Sequence, residues 1–519
     1  MICVTIGRGR HKSMLDEWKA AAEAGAELVE LRVDCMRSEP DLKRLLSNRY
    51  TPVVLTVRRG KDGGLWRGDE EKRQRLLREA IVMGIDYVDL EEDIADKIPR
   101  FGKTKRIVSY HNFQKTPANL AELSEKMAAK GADIVKVACL AQSVGDASSV
   151  LDIAARAEKP TIGLAMGPLG FFTRILAVKY GAPFTYAGFN PDRIFAPGQP
   201  NFFELKREYS LDQVDRDTRV YAVIGDPIEH SLSPAIHNAA FRHHGLNCVY
   251  VPLRIPEGQL KDSLSTLAWL DIQGMSVTIP HKEAIVGLLG KAENAVELTG
   301  ACNTVVVKDQ QMVGHNTDYR AAVGSLEAAL GGGSGPMGVS PLLDKQALIL
   351  GAGGAARSFA FGLYRRGAGV TICNRHDERA VKLAEEVGCR STPWAMRAGT
   401  LCDILINCTP VGMHPNVNDS PVPAAAFKPG MVAFDTVYHP EHTMFLKLAD
   451  DRSCVTISGV DMFVRQAGLQ YYLFTGKEPP MELMRQVVRK KLNPSRMVQD
   501  EPDDADAEAE AAADRGAAE

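Results

Sequence analysis

The chain reads as an α/β protein built in three consecutive parts: a (β/α)8 barrel, a smaller α/β domain, and a dinucleotide-binding α/β domain. Three observations carry this. Short β-branched runs alternate with amphipathic helical patterns along the first 210 residues. The alternation restarts after Asp212–Arg219, a charged stretch without an apolar face. A third segment opens where a strand pattern runs into Gly-x-Gly-x-x-Ala at 351–356. The 519 residues are enough for several cores, and 45% hydrophobic with 24% charged is an ordinary globular composition. Net charge is −3, from 62 basic and 65 acidic residues, so no global basic surplus points to nucleic acid or an anionic membrane.

The first eight runs are Ile2–Gly7, Leu28–Asp34, Pro52–Arg58, Tyr87–Glu91, Arg106–His111, Ile134–Cys139, Pro160–Met166 and Phe184–Phe189. Near-continuous apolar runs between helices mark parallel strands covered from outside. Eight of them in about 200 residues predict a compact barrel over 1–210. The second part, 219–318, has strands at Tyr221–Gly225, Val249–Leu253, Met275–Ile279 and Thr304–Val307. The third, 319–461, contains the loop Gly331–Pro341, rich in Gly, Ser and Pro and expected to be mobile. Its strands Ala347–Leu350 and Gly369–Cys373 flank a helix at Arg357–Arg366. Asp500–Glu519 holds nine acidic residues and one arginine, so 497–519 is expected to be a disordered tail. No apolar run approaches membrane-spanning length. The N-terminus reads as a strand, without the basic segment or cleavage site of a targeting peptide. Ten scattered cysteines with no CxxC pair suit reduced thiols in the cytoplasm; no disulfide framework and no metal site is expected.

In a barrel of this kind chemistry sits at the carboxyl ends of the strands. There the sequence places Glu30, Arg32, Asp34, Arg58, Glu91, His111 and Lys136. Alternation puts Glu30, Arg32 and Asp34 on one face. Lys136 lies within Ile-Val-Lys-Val, and an apolar setting favours the neutral amine that attacks a carbonyl. His111 can move protons near neutral pH, and several arginines suit a carboxylate-bearing substrate. A structural reading stands beside each of these. Lys136 is equally a partner for Glu30 or Glu91, and a strand-end histidine is often a packing or capping residue.

Glu-Leu-Arg-Val-Asp (30–34), Thr-Val-Arg (56–58), Ser-Tyr-His-Asn-Phe-Gln-Lys-Thr-Pro (109–117), Ala-Asp-Ile-Val-Lys (132–136) and Ala-Pro-Gly-Gln (196–199) together resemble type I 3-dehydroquinate dehydratase over residues 1–205. The resemblance implies that Lys136 forms a Schiff base with the substrate ketone. His111 would remove the acidified C2 proton and return it to the departing C1 hydroxyl. Glu30, Arg32, Arg58, Arg174 and Gln199 would bind substrate, with Arg174 facing its carboxylate. Two positions depart from the pattern. Asp62 stands where the family often has a Glu that orients the histidine, and Phe195 stands where Ser usually precedes Ala-Pro-Gly-Gln.

In the third part the glycine turn Gly351-Ala352-Gly353-Gly354-Ala355 follows a strand and opens a helix, the context a pyrophosphate site requires. The next strand ends in Asn374-Arg375, with Arg379 further on. A guanidinium there suits the 2′-phosphate of NADP, where NAD would call for a carboxylate. The second part offers Ser231 and Ser233 before a helix, Thr278 and Lys282 around Ile-Pro-His, and Asp318 after Asn-Thr. Taken singly, Ser233 is a good N-cap with Pro234 at the first helical position, Lys282 a solvated lysine, and Asp318 a helix cap.

Together these motifs resemble shikimate dehydrogenase over about Tyr221–Lys491. The resemblance implies that helices near 462–491 complete the second domain. Ser231, Ser233, Thr278, Asn303, Asp318 and Gln466 would bind substrate hydroxyls and carboxylate. Lys282 and Asp318 would form the catalytic pair, with Lys282 giving a proton as hydride reaches the ketone. His376 takes the usual Thr place in Asn-Arg-Thr, and Tyr319 matches the plant-type fused enzymes. The two resemblances are consecutive steps: dehydration of 3-dehydroquinate to 3-dehydroshikimate, then reduction to shikimate. A plant-type bifunctional enzyme lacking a transit segment is expected, with small-molecule substrates and neither nucleic acid nor membrane as partner. The alternative is an inactive barrel scaffold attached to a working quinate or shikimate dehydrogenase. A sensor that binds the intermediates without turnover is a third reading.

Overall fold

A computed structural model describes residues 1–332 and 340–492. The expected tail at 497–519 and the centre of the Gly331–Pro341 loop lie outside the described residues. The chain divides into two compact units. One comprises 1–234, 241–291 and 305–313; the other comprises 235–240, 292–304 and 314 onward.

The first unit opens with eight parallel strands: β1 (Ile2–Ile6), β2 (Leu28–Arg32), β3 (Val53–Thr56), β4 (Tyr87–Glu91), β5 (Lys105–Asn112), β6 (Ile134–Leu140), β7 (Thr161–Met166) and β8 (Thr185–Gly188). They run in the order β7-β6-β5-β4-β3-β2-β1-β8, a nearly closed barrel. Helices follow most strands, but β4 is followed only by the 3-10 turn Ala95–Lys97. Pro99 and Gly102 punctuate the chain there and leave no room for a helical repeat. β2 stops at Arg32, two residues before the expected end. Val33–Cys35 turn instead, because the Asp34 carboxylate folds back onto Arg32 and the Leu65 N–H.

Residues of one strand alternate between faces, and the inner face changes character along its length. Cys3, Leu28, Val54, Ile107, Ile134 and Ile162 form an apolar plug at the amino ends. Two residues on, the same faces carry Thr5, Glu30, Thr56, Ser109 and Lys136. The barrel is therefore packed below and polar above, which places chemistry at the carboxyl ends.

The next sheet contains β9 (Arg219–Gly225), β10 (Cys248–Arg254), β11 (Ile272–Val277), β12 (Lys291–Ala292), β13 (Thr304–Lys308) and β14 (Gln311–His315), in the order β10-β9-β11-β13-β14-β12. β11 lies earlier than the expected Met275–Ile279, because Thr278 begins a turn that its carbonyl closes onto the His281 N–H. Within the first unit a seam joins the barrel to this region. The Tyr180 and Trp269 rings meet edge-on at 4.8 Å, the Trp269 indole donates to Ser148 at 2.8 Å, and the Tyr180 hydroxyl donates to the Leu270 carbonyl at 2.9 Å.

The second unit carries a parallel sheet of β15 (Gln346–Leu350), β16 (Gly369–Cys373), β17 (Arg390–Ser391), β18 (Ile404–Asn407), β19 (Val432–Asp435) and β20 (Val455–Ile457), ordered β17-β16-β15-β18-β19-β20. This is the doubly wound order, with its switch point between β15 and β18. Ala347 and Ile349 pack on one side with Phe359, Ala360 and Leu363 of the helix Gly354–Arg365. Leu348 and Leu350 pack on the other with Phe427 and Phe445.

Candidate active sites

Every residue to which the resemblance gives a catalytic or substrate-binding role in the barrel borders one cavity, Glu30, Arg32, Arg58, His111, Lys136, Arg174 and Gln199, whereas Asp34 and Glu91 do not line it. Thr5, Phe113, Met166, Tyr186 and Phe195 complete much of its wall. β5 and β6 set Ser109 beside Lys136 by register, and β1 and β2 set Thr5 beside Glu30. Glu30 accepts hydroxyl hydrogen bonds from Thr5 at 2.9 Å and Thr56 at 2.8 Å.

The surroundings of Lys136 differ from the apolar setting its strand suggested. Its buried side-chain nitrogen lies 3.2 Å from Asp89 and 4.0 Å from Glu30, with the Tyr186 ring centre 3.9 Å away. Glu91 is not its partner; that carboxylate is held by Arg58 at 3.2 Å and Arg73 at 2.8 Å. Asp89 is the residue that sequence reasoning missed. It accepts from Arg58 at 2.7 Å and from the Ser109 hydroxyl at 2.5 Å, so it joins Arg58, Ser109 and Lys136. Alternation from Glu91, two residues on, was the available signal. Burial pushes the Asp89 carboxyl up, but Arg58 and Lys136 outweigh it and hold it well below the usual range.

Burial, then the charges of Arg58 and Lys136, push the His111 imidazole well below its ordinary value. It is therefore neutral at physiological pH and able to take a proton. Its Nδ1 has no hydrogen-bond partner among the described residues. Asp62 does not supply one, because its carboxylate accepts from Arg59 at 2.7 Å. Arg174, on the short helix Phe171–Leu176, is buried with Nε unpartnered, and desolvation pushes it down to about 10. A buried guanidinium with an open donor is a receptor for an anion.

In the first unit, Ser231, Ser233, Thr278 and Lys282 follow the carboxyl ends of β9 and β11. Ser231 Oγ accepts the Ser233 N–H at 3.3 Å, and Ser233 opens the helix Ser233–His243. The Thr278 N–H donates to the Ile224 carbonyl at 2.9 Å. Lys282 sits half-buried on the helical turn His281–Ala284. In the second unit, Asn303 is buried, its carboxamide oxygen accepting the Thr317 N–H at 2.7 Å. Asp318 lies in the first turn of the helix Thr317–Ala329, but the cap is Asn316, whose side chain accepts the Tyr319 N–H. Asp318 is thus not needed as a cap. Gln466 is buried on the helix Gly459–Thr475, one turn before Gln470, which donates to the Asn303 carbonyl at 3.2 Å.

The glycine turn suits a dinucleotide. Gly351 has φ +118°, and a Cβ there would lie 2.7 Å from the Cys408 carbonyl oxygen. At Gly353 and Gly354 a Cβ would meet nothing within 4 Å, so open space faces the turn. Gly353 is the N-cap of the helix Gly354–Arg365, and no side chain caps it. Its first N–H groups and the helix dipole are left for phosphate. Arg375 and Arg379 are exposed at the end of β16 and the start of the helix Asp377–Val387. Asn374 instead donates to the His376 carbonyl at 2.9 Å.

Comparison with known proteins agrees with this layout. Residues 2–216 match the family model for type I 3-dehydroquinase. Residues 223–305 match that for the shikimate dehydrogenase substrate binding domain, 337–422 that for shikimate/quinate 5-dehydrogenase, and 459–489 that for the shikimate 5′-dehydrogenase C-terminal domain. The chain is 37% identical over 517 residues to a chloroplastic bifunctional 3-dehydroquinate dehydratase/shikimate dehydrogenase of Arabidopsis thaliana, covering 94% of this chain and 84% of that protein. It is 39% identical over 294 residues to a shikimate dehydrogenase (NADP+) of Moorella thermoacetica, covering 54% of this chain and 97% of that one. A crystal structure of a shikimate dehydrogenase in complex with NADP+ matches 54% of this chain and 97% of its own, with a TM-score of 0.50 and 35% identity. With a barrel that gathers a lysine, a histidine and an orphaned arginine, and an open glycine turn at the head of a doubly wound sheet, this chain belongs to the bifunctional 3-dehydroquinate dehydratase/shikimate dehydrogenase family.

Proposed function

We propose that Lys136 and His111 dehydrate 3-dehydroquinate in the barrel and that Lys282, with Asp318, serves the NADPH-dependent reduction of 3-dehydroshikimate to shikimate. The observation that carries the first step is the cavity itself, which puts Lys136, His111 and the unpartnered Arg174 around one space. The Lys136 amine adds to the C3 ketone and water leaves, giving an imine. His111, neutral at the pH of the cell, takes the C2 proton. It then protonates the C1 hydroxyl, which leaves as water, and hydrolysis of the imine frees Lys136. Arg174 pairs with the substrate carboxylate, while Glu30, Arg32, Arg58 and Gln199 hold its oxygens.

For the second step, Gly351, Ala352, Gly353, Gly354 and Ala355 would hold the pyrophosphate of NADP, and Asn374, Arg375 and Arg379 its adenosine 2′-phosphate side. Bound NADPH supplies the hydride. Lys282 gives a proton to the carbonyl oxygen, and Ser231, Ser233, Thr278, Asn303 and Gln466 hold the substrate's hydroxyls and carboxylate. We place the dehydratase at 1–210, the substrate domain at 219–318 with helices of 462–491, and the cofactor domain at 319–461. We place the protein in the cytoplasm, where its cysteines would stay reduced thiols; the Arabidopsis relative is a chloroplastic protein. Among the described residues no helix is long and apolar enough to cross a membrane.

The test is dehydroquinate plus NADPH, followed for shikimate. Borohydride with dehydroquinate traps an adduct in the unmutated protein and none in Lys136→Ala. An undiminished adduct in that variant overturns the assignment. Reduction of added dehydroshikimate without any dehydration of dehydroquinate favours the scaffold alternative.

A further inference from the structure

One side of the barrel cavity is apolar where its neighbours are charged. The Phe195 ring lies there, with the Arg32 guanidinium carbon 5.3 Å from its centre. Gly7 makes the seat for the ring. A Cβ on Gly7 would fall 2.5 Å from the ring edge and 2.8 Å from Cys35 Sγ. The loop that carries Phe195 is pinned on both sides. Arg193 donates to the Gly7 carbonyl at 2.7 Å, and the Phe195 N–H donates to Gln199 Oε1 at 3.1 Å. Gln199 Nε2 in turn donates to Thr5 at 3.3 Å, so the loop is tied to β1.

Arg32 has little freedom left. Its Nε and Nη2 donate to the two oxygens of Asp34 at 2.9 Å and 2.8 Å. Those bonds fix one edge of the guanidinium plane, and the Phe195 ring, which the cation overlies, restricts it from a second side. The edge formed by Nη1 and the second N–H of Nη2 is left to meet a ligand.

Resting on the reading of the barrel as the dehydratase, we propose that Phe195, seated against Gly7, is a specificity-determining residue that covers the face of Arg32 and presents its free edge to the substrate. An apolar cover also keeps water from that face, so a substrate oxygen in the guanidinium plane meets a dry donor. A ligand with a hydrated group directed at the ring loses solvation there without a partner. The role is in binding and not in bond making, because the ring offers no group that moves a proton.

The experiment compares steady-state dehydration by the full chain and its Phe195→Leu, Phe195→Tyr and Gly7→Ala variants, each with a thermal melt. All the Phe195 variants keep the backbone N–H to Gln199, so they isolate the ring. In Phe195→Leu, KM for dehydroquinate is expected to rise about tenfold with kcat within about twofold. Phe195→Tyr keeps the aromatic face and should restore KM to within about twofold. Gly7→Ala displaces the ring and should reproduce the KM rise, while the double variant Gly7→Ala/Phe195→Leu should be no worse than either alone. An unchanged KM in Phe195→Leu overturns the proposal, as does an equal loss in Phe195→Leu and Phe195→Tyr. Additive effects of Gly7→Ala and Phe195→Leu also overturn it. Failure of the unmutated chain to dehydrate dehydroquinate overturns the dehydratase reading itself, and shows before any variant is compared.

Discussion

At the scale of the residue, the carboxylate-binding role proposed for Arg174 comes with a cost in the ligand-free protein. Desolvation alone lowers its guanidinium to about 10, a cost of about 3 kcal/mol at 1.36 kcal/mol per unit. The sign follows from linkage. The unfolded chain binds this proton more tightly, so stability rises with pH from about 10 up to the group's ordinary value, and at neutral pH the full penalty is present. Arg174→Met should therefore raise the stability of the ligand-free protein, by up to about 3 kcal/mol less any packing loss. It should raise KM for dehydroquinate about tenfold or more. Chemical denaturation without ligand checks the first part, and a variant no more stable than the parent contradicts it. His111 gives a second expectation. Its imidazole is depressed by burial and by Arg58 and Lys136, so the acid limb of kcat/KM for dehydration should lie below pH 6.5. Arg58→Gln should move that limb upward; a limb at or above 6.5 in the unmutated protein contradicts the reading. The sequence made these groups legible because strand ends are short and the polar residues there stand out. Asp89 escaped because it lies within the apolar run Tyr87–Glu91, where only its register with Glu91 marks it as inward-facing.

At the scale of the element, the helix Gly354–Arg365 and the turn before it separate two uses of glycine. Gly353 faces open space, and its backbone lies in an ordinary region, so Gly353→Ala should leave the melting temperature almost unchanged. It should weaken NADP binding about tenfold or more, since the added methyl stands where phosphate must approach the N–H groups. Gly351 has a left-handed φ and a carbonyl 2.7 Å from any Cβ, so Gly351→Ala should lower stability by about 1 kcal/mol or more before binding is considered. Calorimetry with and without NADP distinguishes the two, and equal destabilisation by both contradicts the division. The long elements of the molecule follow from pattern: each of the eight barrel runs became a strand. The short ones do not. β12 and β17 have two residues each, too few for any period to be read, and β20 has three. These strands exist because longer neighbours offer them backbone partners.

At the scale of the whole molecule, the residues proposed for dehydration come from segments before residue 200 and those proposed for reduction from segments after 230. Lys282→Ala should abolish reduction of dehydroshikimate and leave dehydration of dehydroquinate within about twofold, measured as two separate assays. Loss of both in a folded protein contradicts the division of labour. The order of the parts was legible because composition changes at Asp212–Arg219 and the glycine turn announces the last sheet. The seam between Tyr180 and Trp269 was not, because a tryptophan and a tyrosine 89 positions apart carry no shared pattern. That seam has a consequence for how the protein melts. Rings in contact and hydrogen bonds across the join make each side's unfolding raise the free energy of the other, so the barrel and the strands packed on it should lose structure as one cooperative event. Trp269→Ala removes both the ring contact and the bond to Ser148. A single calorimetric transition should then broaden or split, with the van't Hoff enthalpy falling below the measured heat.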